Sequence, residues 1–380
     1  MDTPPMGGAI CCSDLVMVQI NWVALLTDCA PTLIKRNDIM KSRFIPSAIG
    51  ALALTVLATG AYAGSHATAA CLITKNNTNP FFVKMKEGAE AKAEAAGIAL
   101  SSYAGKLDGD AGPQIVAIEN CMAMGAKGIL ITAANDSVVP ALKKARAAGI
   151  LVIALDTPLS DPDAQDMTFA TDNFEAGLLI GRWAKATMGA AAKDAKIGML
   201  DINKDNISVD VQRDTGFLIG FGIEVPNLKI LGSETDSRVI GHESALGNPE
   251  GGVKSVENLL AKNPDMNVIY TINEPAAEGA YQALKKAGKE KGVLIVSVDG
   301  GCPGIASVKS GVIGATSQQY PLLMASKGIE AIAAWAKDGT KPSASDGLNF
   351  FNTGVNLVTD SPAAGVPSID STKGTELCWG

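Results

Sequence analysis

The sequence predicts an α/β protein made of two doubly wound parallel-sheet lobes. Three observations lead there. From residue 69 onward short apolar runs alternate with Ala- and Lys-rich amphipathic stretches, the pattern of βαβ units whose sheets are buried on both faces. The alternation yields ten strands in two runs of five, more than one compact open sheet carries on short loops. The 380 residues, 47% hydrophobic and 19% charged, supply enough apolar material for two domains of about 150 residues.

In the first series, strands are expected at 70–74, 98–103, 128–132, 150–155 and 167–170. A helix at about 81–96 ends on Ala95-Ala96-Gly97-Ile98, and Ala147-Ala148-Gly149-Ile150 repeats the device: a glycine just past a helix, then a strand. In the second series, strands are expected at 197–200, 228–231, 268–271, 294–298 and 312–316, with helices near 174–188, 208–220, 251–262, 275–287 and 322–337. No Pro/Ser-rich or charged run separates the halves near Thr171-Asp172, so the connection is short, as suits a hinge.

Residues 40–63 carry the three parts of a secretory signal: Met40-Lys41-Ser42-Arg43, an apolar run at 49–58, and a small-x-small site ending at Ala63. Cleavage is expected after Ala63, with export to the periplasm; the run is short for a membrane span of about 20 apolar residues. Counted from Met40 the signal has a normal length, so residues 1–39 read as a non-native upstream extension, the alternative being an unusually long leader. Net charge is −7, with 32 basic and 39 acidic side chains. Loss of the leader leaves it unchanged, because Asp2, Asp14, Asp28 and Asp38 offset Lys35, Arg36, Lys41 and Arg43. A chain of this charge offers no basic face for nucleic acid. With His66 and His242 as the two histidines, a His-rich metal site is excluded and none is expected; no cofactor motif is present either. Beyond the leader stand Cys71, Cys121, Cys302 and Cys378. An even count in an oxidising compartment allows two disulfides in three connectivities; neighbours in sequence suggest 71 with 121 and 302 with 378, against four free thiols.

Ligands of open α/β sheets bind beyond the carboxyl ends of strands, so the residues just after each apolar run carry the chemistry. These are Asn76 to Asn79, Thr132 to Asp136, Asp156, Asn273, Asp299 and Gln318-Gln319, with Arg213 early in a helix. Amides donate and accept together, carboxylates accept from paired hydroxyls, and the guanidinium fork meets two adjacent oxygens. Such a set matches a polyol. Phe81 and Phe82 after Pro80 offer a ring that can stack on the C–H face of a sugar. Taken singly, an Asn or Asp after a strand is a helix cap or turn former; the recurrence at one topological place in both halves is what points to a site. Asp156 and Asp299 also invite a glycoside hydrolase reading. A nicotinamide enzyme lacks its Gly-x-Gly-x-x-Gly, since Thr74-Lys75-Asn76-Asn77-Thr78-Asn79-Pro80 stands there, and Gly300-Gly301-Cys302-Pro303-Gly304 lacks a phosphate loop's ending.

Asn79-Pro80-Phe81-Phe82, Met85-Lys86-Glu87-Gly88-Ala89, Ala154-Leu155-Asp156, Ala170-Thr171-Asp172-Asn173, Arg213 before Gly216-Phe217, Asn273-Glu274, Val298-Asp299-Gly300 and Gln318-Gln319-Tyr320-Pro321 together resemble the ribose-type periplasmic sugar-binding proteins. The likeness covers about 69–358. It implies a type I periplasmic binding protein fold: a first lobe of 68–171 plus 319–347, a second of 172–318 plus 348–380, and three hinge crossings. It also implies one monosaccharide held by Asn79, Phe81, Phe82, Asp156, Arg213, Asn273, Asp299 and Gln319, with Lys75, Thr132 and Asn135 as further candidates, and no catalysis. The implied partner is an inner-membrane ABC permease, with a chemoreceptor as a second candidate; a monomer is expected. Thr157 and Val298 stand where the ribose pattern has an arginine and an aromatic. These departures point away from ribose, and the insertion from Gly241-His242-Glu243 to Gly251-Gly252, with the positions of Cys302 and Cys378, resembles the branch for fructose uptake, so fructose or a related ketohexose is the expected ligand. Ribose, a cyclitol and a furanosyl signal molecule are the alternatives. A ligand-controlled repressor would need a helix-turn-helix before residue 69, where the signal stands.

Overall fold

The computed structural model describes residues 68–107 and 109–380; the expectations for 1–39 and for a signal at 40–63 lie outside the described residues. The chain first lays down β1 (Thr68–Thr74), α1 (Pro80–Ala96), β2 (Ile98–Ala104), α2 (Gly112–Ala123), β3 (Gly128–Ile131), α3 (Val139–Ala147), β4 (Leu151–Leu155) and β5 (Met167–Ala170). It then builds α4 (Asn173–Met188), β6 (Ile197–Asp201), α5 (Ser208–Phe221), β7 (Val239–Ser244), α6 (Pro249–Lys262), β8 (Val268–Thr271), α7 (Glu274–Lys286), β9 (Leu294–Asp299), α8 (Cys302–Lys309) and β10 (Ala315–Gln318). Last come α9 (Pro321–Asp338), β11 (Phe351–Asn352), β12 (Asn356–Val358) and α10 (Ser371–Leu377).

Two six-stranded sheets result, in the orders β11-β5-β4-β3-β1-β2 and β12-β10-β9-β8-β6-β7. Each is the same doubly wound arrangement, whose order reverses at β1/β3 in one lobe and β6/β8 in the other, the place where such sheets hold ligands. All strand pairs are parallel except β10 with β12. Strands such as β3 and β4 are buried at every position, because helices cover both faces. Each sheet has apolar clusters on its faces; Leu72, Met85, Leu130 and Ile329 meet in one, and Trp183, Phe217, Tyr270 and Val296 in another.

The chain passes between the sheets three times: at 171–172, at 319–320, and between β11 and β12. The third passage lies beyond the expected boundary at 347/348, because Phe351 and Asn352 still pair with Phe169 and Ala170 of the first sheet. Two further expectations are corrected. Residues 228–231 are turns, with Leu228 and Ile230 exposed, held by side-chain bonds from Asn206 and Asn227 to backbone N–H groups. The strand is β7, a half-buried edge strand that tolerates His242 and Glu243; the stretch from Gly241 to Gly252 is the end of this strand, a short loop and the start of α6. The expected strand at 312–316 sits three residues later as β10, where Ser317 bonds the Ala176 carbonyl and Gln318 the carbonyls of Gly300 and Gly374. Carbonyl acceptors for the Ser317 hydroxyl and the Gln318 amide nitrogen permit burial there that hydropathy alone does not foresee.

Two features fix the second lobe to the crossing region. Gly177 and Gly181 of α4 face Gly216 and Gly220 of α5, so the two helices pack backbone to backbone; a Cβ on Gly177 would overlap the Arg213 carbonyl, and one on Gly216 the Phe174 carbonyl. Disulfides join Cys71 to Cys121 and Cys302 to Cys378. The second ties the tail to α8, and Trp379 then stacks edge-on to Phe81 of the other lobe, centroids 5.5 Å apart, while its Nε1 donates to the Gln319 carbonyl at 2.7 Å.

Gly177→Ala should therefore force α4 and α5 apart and lower unfolding free energy by about 1–3 kcal/mol, the range for overpacking. Urea unfolding measures it, with Ala186→Ser on the exposed side of α4 as the control that should change little. An unchanged midpoint in Gly177→Ala removes the close-packing argument.

Candidate functional site

Arg213 sits beside two of the crossings, bonded to Asn173 just after the first and to Gln319 in the second. Its guanidinium, on a residue 4% exposed, uses all its edges: Nε donates to Asn173 Oδ1 at 2.8 Å, Nη1 to the Ile272 carbonyl at 3.0 Å and Nη2 to Gln319 Oε1 at 3.2 Å. Asp156 Oδ1 lies 3.6 Å from Nη2 and Asp299 Oδ1 3.9 Å from Nη1. Gln319 closes the network, its Nε2 donating to Asp299 Oδ1 at 2.8 Å. Asp156 follows β4 of the first sheet, Asp299 ends β9 of the second and Arg213 stands on α5 of the second lobe, so the charges meet across the cleft.

The backbone explains how each group arrives. Asp156 and Asp299 directly follow or end central strands and both have positive φ, 63° and 142°, conformations that side-chain-bearing residues rarely adopt. Such conformations persist where surrounding contacts impose them, and here they turn both carboxylates toward the guanidinium. Asp156 Oδ2 accepts from Thr157 Oγ1 at 2.8 Å, while Oδ1 is buried without a hydrogen-bond partner. Asn79 and Asn273 are helix caps as well as cleft residues: Asn79 Oδ1 accepts from the Phe81 N–H, Asn273 Oδ1 from the Ala276 N–H. The plain and the functional reading of these amides therefore coexist, though Asn273 also spends its Nδ2 on the Gly247 carbonyl at 3.1 Å.

Lys75, Asn79, Phe81, Phe82, Asp156, Arg213, Asn273, Asp299 and Gln319 all line one interlobe cavity. Phe81 and Phe82 both face it and meet edge to face at 5.5 Å. Lys75 is 3% exposed, and its side chain makes no ion pair or hydrogen bond among the described residues. The free space is about 30 Å³, too little for a sugar ring, so such a guest requires the site to widen. A neighbouring cavity of about 460 Å³ shares Asn79 and Asp299 with it and runs out past Trp379 and Tyr281. Two of the sequence candidates lie elsewhere. Thr132 is fully buried behind Met85, its carbonyl taken by Gln114, and Asn135 caps the turn at Asp136 and bonds the Gly109 carbonyl, on a separate opening of the cleft. The apolar liners Ile202, Val209 and Ile272 were not foreseen, nor was Asn173, although the last stands within a recognised motif.

Glu274, next to Asn273, is a carboxylate one layer behind the cleft. Its oxygens accept from the Gly300 and Gly301 N–H groups at 2.8 and 3.0 Å and from Thr316 Oγ1 at 2.8 Å, which holds the backbone just after Asp299. Burial, then the charge of Asp299, pushes the Glu274 carboxyl up to about 8. Burial likewise pushes Asp299 up to about 7, against the opposing pull of Arg213.

These features define a two-lobed protein whose cleft is lined by two carboxylates, two cations, amides and a pair of rings. The Periplasmic binding protein domain family matches residues 70–341, and the chain belongs to that family. Among its curated relatives, the ribose import binding protein of Haemophilus influenzae is 31% identical over 252 residues, 66% of this chain and 80% of the relative. That of Salmonella typhimurium is 29% identical over 294 residues, 77% of this chain and 92% of the relative. A solved structure of an ABC transporter periplasmic solute-binding protein from Actinobacillus succinogenes, with bound D-allose, matches with a TM-score of 0.67 at 23% identity. That match covers 81% of this chain and 99% of the other and shows the fold. The chain is thus a binding protein and not an enzyme, which retires the hydrolase reading of Asp156 and Asp299. No helix among the described residues is long and apolar enough to cross a membrane.

The raised carboxyls have a testable sign. Groups whose folded pKa lies above the unfolded value stabilise fully below the unfolded value and lose that contribution as pH rises through the folded one. Unliganded protein should lose stability between about pH 4 and 8 through Glu274 and Asp299, and Glu274→Gln should flatten that decline. Urea unfolding at pH 5 and pH 8 measures it; a steeper decline in the variant contradicts the assignment.

Proposed function

We propose that this chain is the substrate-binding component of a carbohydrate ABC importer, closing its lobes on one neutral monosaccharide and presenting the closed form to an inner-membrane permease. The observation that carries the reading is the Arg213 network, in which groups from both lobes and a crossing segment converge on one point between the sheets. Two carboxylates facing two cations make the cleft nearly neutral, which suits an uncharged guest. On opening, the Arg213–Gln319 and Gln319–Asp299 bonds are free to be exchanged for bonds to hydroxyls. On closure, the sugar is desolvated between Phe81 and Phe82 on one side and the polar set on the other. Hydrogen bonds to charged partners contribute about 1.5–3 kcal/mol each, and a buried partner left unpaired costs a similar amount, which is how epimers are separated.

Within that class the reading is a ketohexose, with fructose favoured. It is supported by two positions beside the cleft carboxylates: Thr157, whose hydroxyl bonds Asp156, stands where the ribose pattern has an arginine, and Val298, buried in the second lobe's core, stands where it has an aromatic. Relatives named for ribose, D-allose and D-apiose make these the competing pentose and aldohexose ligands. Membership of the family also supports a periplasmic location and an ABC permease as partner.

A melting-temperature screen tests both levels. At 100 times its dissociation constant a ligand stabilises by about 2.7 kcal/mol, a readily measured shift. Fructose should give the largest shift among fructose, ribose, D-allose, D-apiose and myo-inositol; a larger shift with ribose or allose replaces the ketohexose and keeps the sugar importer, while no shift with any monosaccharide overturns both. Calorimetry on Asp299→Asn and Arg213→Lys should show affinity reduced by tenfold or more, and unchanged binding in either variant removes that residue from the site.

A further inference from the structure

A second polar centre lies beside the second lobe's sheet, apart from the sugar cleft. Asp201 ends β6, Asp210 and Asp214 stand on α5, His242 lies on β7, and Glu234 belongs to the loop that leads into it. His242 Nδ1 is 2.8 Å from Asp201 Oδ2 and 3.6 Å from Asp214 Oδ2, and Nε2 is 2.9 Å from Glu234 Oε1. Asp201, Asp210 and Asp214 are 3%, 0% and 2% exposed. Asp214 Oδ2 has no hydrogen-bond partner, and neither do Asp201 Oδ1, Asp210 Oδ1, Glu234 Oε2 and the buried Tyr270 hydroxyl. Among the described residues no lysine or arginine pairs with any of these four carboxylates; the His242 imidazole faces three of them, Asp201, Asp214 and Glu234. Buried carboxylates are ordinarily paired or bound to a cation.

We propose that His242, Asp201 and Asp214 form a binding site for a divalent transition-metal ion of the zinc type. The three ligand atoms lie within 4.8 Å of one another. A tetrahedral ion with bonds of about 2.0–2.1 Å holds its ligand atoms about 3.3 Å apart, between the two distances measured from Nδ1. The imidazole favours zinc-like ions over calcium or magnesium, which prefer all-oxygen sets. Glu234 supplies the outer layer: with Nε2–H donating to its carboxylate, Nδ1 turns its lone pair to Asp201 and Asp214, the carboxylate–histidine–metal relay of many zinc sites. The ion takes the place of the Nδ1 proton, which passes to solvent. A cavity of about 340 Å³ opens onto Asp201 and His242, with Lys204 and Glu243 also lining it, giving an ion access and room for water as a fourth ligand. The bound ion would tie β6, β7 and α5 together one residue from Arg213, bracing the turn that serves the sugar cleft. This goes against the sequence expectation of no metal, because the ligands come from positions 201, 214 and 242 and share no spacing motif.

The test is calorimetric titration of tag-free, EDTA-treated and dialysed protein with zinc chloride, and in parallel with calcium chloride. One saturable zinc equivalent is expected, with calcium at least tenfold weaker. Asp214→Asn and His242→Gln should each weaken zinc by tenfold or more, and Glu234→Gln by about tenfold, the lower end for outer-layer partners. Absence of saturable zinc binding, binding unchanged in Asp214→Asn and His242→Gln, or calcium as tight as zinc each overturns the proposal. Should the variants fail to fold, zinc-soaked crystals of the unaltered protein decide: an anomalous peak bonded to His242 Nδ1 supports the site, and a peak elsewhere or none refutes it.

Discussion

The structure depends on keeping one guanidinium dry and fully engaged between two sheets. A buried arginine is tolerated only when every edge is bonded and opposite charge is near, and removing a partner from such a set typically costs about 3–5 kcal/mol. Arg213 meets that demand with Asn173, the Ile272 carbonyl, Gln319 and the flanking Asp156 and Asp299. Those partners lie in both lobes and in a segment that crosses between them. The same demand explains the glycines of α4 and α5, which let α5 come close enough to α4 for Arg213 to reach Asn173.

Most cleft side chains do two jobs. Asn79 and Asn273 start helices, and Gln319 both passes the chain between lobes and links Arg213 to Asp299. Trp379, held to α8 through the Cys302–Cys378 disulfide, rests on Phe81 of the opposite lobe and bonds the Gln319 carbonyl. Hinge, tail and site are thus one mechanical unit: a guest that rearranges Gln319 also acts on the crossing and on the tail beside it. The backbone at Asp156 and Asp299, with its positive φ, belongs to the same unit, since strain of this kind survives only where several contacts impose it.

Helix α5 places two kinds of chemistry within five residues. Arg213 lines the interlobe cleft, while Asp210 and Asp214, one turn apart, lie near Asp201, and Asp214 also faces His242. Burial first, and neighbouring carboxylates next, hold Asp210 and Asp214 well above the ordinary carboxylate range. The second lobe therefore carries two clusters of charged groups that share one helix, α5.

Local pattern determined the two-lobed α/β class, nearly every strand and helix of the βαβ alternation, and the residues at strand ends that gather in the cleft, because period, glycine stops and polar tips are written in neighbouring residues. It failed where tertiary contacts reverse local preference. The apolar 228–231 became exposed turns while the polar β7 took the sheet edge, and Ser317 and Gln318 were buried because remote carbonyls accept their bonds. Thr132, at an equally favourable strand end, was claimed by the core behind Met85. The place of the third crossing, the meeting of Asp201, Asp214 and His242, and the choice of Asn173 as Arg213's partner were decided by the fold alone. Each depends on segments distant in the chain being pressed together, and no local spacing records which distant segments will meet.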